Sequence, residues 1–421
     1  MALSVFAQNT AKVEEALKEH YQPQRIKEMV YKNNPLLALM PKYTQFGGKY
    51  MPVPIILTGP QRRSATFTDG LDNTSTSSVK QFDLTRARDY SFGTIEHEAI
   101  KASQSDSDAF IRFATMEIDG AIHSIKRSLA VAMYRDGSGS IGTLVGDPSG
   151  GTTMTLATDA DVSNFEVGMR LSVAASSTGA TVANFGGGGQ NYVTVTKVDR
   201  AATSAHITVS ETIHADCPSG GVLFQLGDAD NTDGSKKVSG LDAWCPATAP
   251  GSSGGAPASL FGVDRSVDPV RLGGARSDGS AKPIEEALID GLSLAAREGG
   301  SPTHIFTDFA TYSNLEKALG SKVQYDKVSA SDANVGFTSL KIHGPAGTVD
   351  VIADINCQPN VAWALQMDTW SLNSLDDAPH ILDLDGNNML RETRADAYET
   401  RIGYYAQIGC SAPGWNCRIS L

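Results

Sequence analysis

Several short patterns in this 421-residue chain carry residue types that could do chemistry. Gly251-Ser252-Ser253-Gly254-Gly255 fits G-x-S-x-G, the turn that presents a hydrolase nucleophile between a strand and a helix. Here it lies in a Pro/Ala/Gly loop over 246–258, so it reads as a loop. Asp228, Asp230, Asp233 and Gly234 approximate a calcium loop, but the glycine comes one place late and the twelfth-position acid is missing. Glu96 and Glu98 share one face of a strand, as a glycosidase pair could, with His97 opposite and no cleft partner in view. Gly186 to Gly189 is not followed by the Lys-Ser or Lys-Thr of a phosphate loop. None of the eight histidines has metal-ligand spacing. Asn73-Thr74-Ser75 fits a glycosylation pattern without a secretory context. The patterns add up to no catalytic constellation, so the chain is read as neither an enzyme nor a holder of metal or cofactor.

The elements that would position a site are more telling. From Asp106 to Arg135 apolar residues recur at three- and four-residue steps: Phe110, Ala114, Ile118, Ala121, Ile122, Ile125, Leu129, Ala132 and Met133. That spacing predicts one helix with one apolar stripe, started by Asp106 and Asp108 and stopped near Gly137. About 28 residues at ~1.5 Å each make a rod of roughly 42 Å, long enough to span a domain. Gly120 is its one weak point.

Before this helix, residues 48–58 and 79–95 read as two arms of a long hairpin. Pro52 and Pro54 exclude the first arm from the middle of a sheet. A ribbon with so little to bury needs another surface to lie on, which points to a partner subunit. Arg62, Arg63, Lys80, Arg86 and Arg88 are the cations expected to meet it. Residues 11–32 read as two short helices broken at Pro23. The first 50 residues hold seven basic and four acidic side chains, in a chain with 35 Lys+Arg against 47 Asp+Glu. A protein whose main task is gripping nucleic acid would be basic overall.

After the helix, residues 147–228 carry five short strand patterns and turns, with three basic and eight acidic residues. This predicts a small barrel or sandwich inserted into a continuing fold. Beyond it come a helix over 283–297, a strand HIFTD at 304–308, a helix over 309–319 capped by Asp308, two core strands and a long closing strand over 397–409. The five cysteines, odd in number and widely spaced, read as reduced thiols of a cytosol. MALSVFAQNT lacks the basic region and apolar core of a signal peptide, and no apolar run is long enough to span a membrane.

The order of parts resembles a tailed-bacteriophage major capsid protein of the Hong Kong 97 type. FGVDRSVDPVRLGG (261–274) and SPTHIFTDFATYSNLEKAL (301–319) are similar to recurring capsid segments. The resemblance implies an α+β fold with residues 1–43 as N-arm, 44–95 as extended loop and 96–146 as peripheral domain with the spine helix. Residues 147–228 would be an inserted β-barrel-like domain, 229–380 the axial domain (most closely over 260–380), and 381–421 the return to the peripheral domain. It further implies hexamers and pentamers closing an icosahedral shell around double-stranded DNA, with a portal protein and a separate scaffolding protein as further partners. The basic arm would face packaged DNA by non-specific contact, and the acidic insert would face outward. Assembly would take place in the host cytoplasm. A cellular, encapsulin-like shell protein and a β-rich hydrolase or adhesin are the other readings the sequence allows.

Overall fold

The computed structural model describes residues 34–73, 75–96, 107–200, 204–229, 236–252, 255–319, 340–383, 389–392 and 395–421. The long helix runs Ser107–Ala132, 26 residues. Its stripe is buried as the spacing requires: Ile118, Ala121, Ile122, Ile125 and Leu129 are all within the main core. The expected helices over 11–32, together with Asp106, His97 and Glu98, lie outside the described residues.

The helix rests against a six-stranded sheet built on the closing strand Ala397–Cys410. Ala87–Glu96 pairs antiparallel with it, in register from Ala397–Glu96 to Ala406–Ala87. The sequence reading assigned these residues to the second hairpin arm, and the structure corrects that. The hairpin consists of Met51–Thr58 paired with Ser78–Leu84, and the chain changes sheets across Thr85 and Arg86. Pro52 and Pro54 sit where the reading placed them, on an edge of a two-stranded ribbon whose amides need not be shared.

The second large sheet is mixed, in the order Ala275–Asp278, Cys417–Ser420, Val361–Leu365, His304–Thr307, Gly347–Ala353, Leu340–Gly344. Helix Ile284–Arg297 lays Ala287, Leu288, Leu292 and Ala295 on it, in a core that includes Ile419 and Val351. Asp308 caps the following helix, its Oδ2 accepting from the amides of Ala310 and Thr311 at 3.1 and 3.3 Å. Expected segment boundaries shift here. Trp370–Ser374 already belongs to the sheet of the closing strand, ahead of 381. Cys417–Ser420 leaves that sheet and returns between Ala275–Asp278 and Val361–Leu365. Beyond Asp278 the chain thus crosses between the two sheets twice, near 366–369 and near 411–416.

Residues 140–225 form a sheet with its own apolar core, including Leu156, Phe165, Leu171, Val173, Val193, Val195, Ile207 and Leu223. In space its strands run Ser140–Thr143, Val222–Gln225, Arg170–Ala174, Val193–Asp199, His206–Val209, Thr153–Thr155. Past these strands Leu144 pairs with Leu156, with Val145 N donating to Thr155 O at 2.9 Å and Ala157 N to Thr143 O at 2.8 Å. The last strand therefore meets the first, and the sheet closes into a barrel. Ser140–Thr143 is a sixth strand that the sequence reading left outside, because it placed the start of the insert at 147.

Candidate subunit interface

The base of the hairpin is held by its own chain. Ile55, Leu57, Phe82 and Leu84 are buried in the main core. The Phe82 ring meets Trp244 edge-on, centroids 5.0 Å apart, and Trp244 in turn packs on Phe261 and Trp370. Arg271 Nη1 donates to Leu57 O at 2.8 Å and the Asp83 amide to Phe261 O at 3.0 Å. The expectation that this ribbon has very little to bury holds for only one of its faces, because strand alternation sends every second side chain inward.

The other face is bare. Ile56 and Val79 are paired across the ribbon, and they are 74% and 57% exposed. At the far end a short helix, Phe67–Asp72, is capped by Thr66 and carries Phe67 and Leu71 at 83% and 61% exposure. Apolar groups left in water at this density cost about 25 cal/mol per Å² that a partner could recover.

The five cations divide. Arg62 and Arg63 precede the tip helix and are exposed, and Arg88 points outward from Ala87–Glu96. None of these three makes an ion pair among the described residues. Lys80 is half-buried on the hairpin. Arg86 is committed inside the subunit: its Nη1 donates to Phe46 O at 2.8 Å, and its guanidinium carbon lies 5.1 Å from the centroid of the buried Phe46 ring. Its position between two strands, where a turn must be tied down, emerges only with the change of sheet at Thr85–Arg86.

The other candidates stay apart. Ser252 sits in a turn with no strand before it and no helix after it, its Oγ donating to Ala249 O. Asp228 is paired with Lys237, while Asp230, Asp233 and Gly234 lie outside the described residues. Among the described residues no group of His, Cys, Asp and Glu could hold a metal, and no helix is long and apolar enough to cross a membrane. All five cysteines are free and buried. Burial pushes the Cys217 thiol up to about 11 and those of Cys245 and Cys417 up to about 12, which leaves almost no nucleophilic thiolate near neutrality.

A long hairpin, a spine helix across a long-stranded sheet and a second α/β sheet together define the Hong Kong 97-type fold of capsid proteins. The chain superposes on a chain of the Cyanophage A-1(L) capsid asymmetric unit with a TM-score of 0.53 at 13% identity, covering 92% of both chains. A capsid chain of a native GTA particle (8% identity, 92% and 90% covered, TM-score 0.43) and a chain of Mycobacterium phage Ogopogo (10% identity, 91% of both covered, TM-score 0.38) align more loosely. No curated protein matches the chain. Residues 221–390 match the family of the SU10 major capsid protein. That match covers less than half of the chain, and together with the superposition it gives the chain the fold of tailed-phage capsid proteins.

Proposed function

We propose that this protein assembles with copies of itself into hexamers and pentamers that close an icosahedral head around double-stranded DNA, and that its role is structural rather than enzymatic. The observation that carries this reading is the two-faced hairpin. One face is anchored on Trp244, and the other offers Ile56, Val79, Phe67 and Leu71 to solvent, with Arg62 and Arg63 at the same tip. An exposed ion pair contributes about 0–1 kcal/mol, but contacts repeated around a closed shell act together through multivalency. The basic N-arm fits a DNA-facing side, since phosphate attraction needs no sequence readout. A separate scaffolding protein and a portal complete the assembly, which takes place in the host cytoplasm. Electron micrographs of the purified protein test the reading. Homogeneous closed shells support it, whereas soluble subunits at high concentration, with or without scaffold, overturn it. Nucleic-acid content then separates a genome container from a shell around protein cargo.

A further inference from the structure

The barrel and the rest of the subunit share little apolar contact. Their cores have no residue in common. Between them lies a cleft of about 290 Å³, with Gly120, His123 and Val131 on the helix side and Ile141 and Met169 on the barrel side. Orientation across such a gap has to come from polar ties. Arg127 Nη1 meets Glu166 Oε1 at 2.5 Å, with Arg200 3.6 Å from the same carboxylate, and Arg135 pairs with Asp161.

The most buried tie joins four elements. Lys237, on the chain returning from the barrel, is 7% exposed at its side chain. Its Nζ lies 2.7 Å from Asp89 Oδ1 on the strand Ala87–Glu96 and 3.0 Å from Asp228 Oδ2 at the barrel's exit. Ser128 Oγ of the long helix donates to Asp89 Oδ2 at 2.5 Å and accepts from Lys237 Nζ at 3.4 Å. The two connections to the barrel touch here. Lys237 N donates to Gly137 O at 3.0 Å, and Gly139, at φ +88°, passes so close to Asp228 that a Cβ would lie 2.5 Å from its carbonyl oxygen. A lysine this buried is retained only with partners, and removing it strands two carboxylates.

We propose that Asp89, Lys237 and Asp228 form a latch fixing the barrel's orientation on the long helix, and that the barrel swings as a body about Gly137–Gly139 when the latch is neutralised. The cluster holds one cation and two carboxylates, so it carries an excess negative charge. Burial, with Asp89 nearby, pushes the Asp228 carboxyl up against the pull of Lys237 and Lys236, so it takes up a proton in milder acid than surface carboxylates do. Asp161 is likewise raised by burial against the pull of Arg135. The other groups facing the junction are His123, Arg127, Arg135, Glu166 and Arg200, with Tyr404 from the closing strand.

The test is a pulsed EPR distance in the full chain, diluted with unlabelled chain, between spin labels at Thr178→Cys on the barrel and Ser293→Cys on helix Ile284–Arg297. The native thiols are buried and leave the labels selective. Lys237→Met and the isosteric Asp228→Asn are each expected to widen the distance distribution at least twofold, while hydrogen exchange of Arg170–Ala174 and Val222–Gln225 stays as in the parent. Should Lys237→Met fail to fold, Asp228→Asn decides. Unchanged widths overturn the latch, and so does a loss of barrel protection in step with the widening, which would make these residues part of barrel folding rather than its orientation.

Discussion

Asn416 Oδ1 accepts a hydrogen bond from Trp370 Nε1 at 2.9 Å and another from the Gln366 amide at 2.8 Å, while its Nδ2 donates to Ala412 O at 3.0 Å. One fully buried amide therefore ties together the two later crossings between the sheets. Asn416→Ala leaves an indole and a backbone amide without acceptors inside the core. The expected cost is about 2–6 kcal/mol, from roughly 1–3 kcal/mol for each stranded group. Asn416→Asp restores the acceptor and is expected to recover part of it. Denaturant unfolding of both variants checks the order; equal stability of Asn416→Ala and the parent refutes it.

At the end of the long helix, Tyr134 Oη donates to Asp354 Oδ2 at 2.8 Å. Burial holds the Asp354 carboxyl above its ordinary range, and the bonds from Asn356 and Tyr134 pull it back down. A carboxyl raised in the folded state favours folding fully below its unfolded pKa and loses that contribution as pH rises through the folded value. Tyr134→Phe removes one of the bonds that keep the charged form tolerable. The variant is expected to be destabilised by about 1–3 kcal/mol near neutrality. The deficit narrows as pH falls through the raised range and Asp354 becomes neutral in both proteins. A deficit that is flat with pH, measured by chemical denaturation at several pH values, counts against this account.

The candidate interface cations should separate into two behaviours. Arg62→Glu, Arg63→Glu and Arg88→Glu together act at exposed positions and are expected to change subunit stability by no more than about 0.5 kcal/mol each, while closed-shell yield collapses. Arg86→Ala instead strands the Phe46 carbonyl and removes a cation from its ring, costing about 1–3 kcal/mol of folding. Melting and shell yield measured side by side decide it. The reading of the hairpin fails if the triple variant unfolds, or assembles as well as the parent.

The barrel should also be separable, provided the excision respects its closure. A segment over 138–228 contains all six strands and the Leu144–Leu156 pairing. One over 147–228 lacks Ser140–Thr143 and leaves Val222–Gln225 unpaired on one side. The longer segment is expected to give dispersed amide NMR peaks and the shorter one collapsed peaks. Dispersed spectra from both would mean that the sixth strand is dispensable.

The sequence showed what periodicity can show. The stripe from Ile118 to Met133 and the alternation of Ala397–Cys410 each repeat long enough for one partner surface to explain them. It failed where one run serves two partners. Residues 79–95 alternate without a glycine or proline at Thr85–Arg86, so nothing in the run announces that the chain leaves the hairpin for the long sheet. Ser140–Thr143 is hidden by its shortness and its neighbouring glycines. Asn416 and Lys237 are single polar residues whose burial depends on distant segments, and residue type alone places both in solvent. Of the proposed interface cations, Arg86 shows the same limit, since its counterpart at Phe46 lies in an unremarkable stretch of loop.

The pairing of Leu144 with Leu156 has a consequence for crowding. A protein that packs side by side with its own copies holds every protruding segment at very high local concentration, where a free strand ladder would recruit the same ladder from its neighbour. A barrel whose first and last strands meet offers no such template. Copies can stand close together at a surface without zippering into fibres, so a β-rich appendage of this kind can be carried by a self-associating protein with little risk to orderly growth.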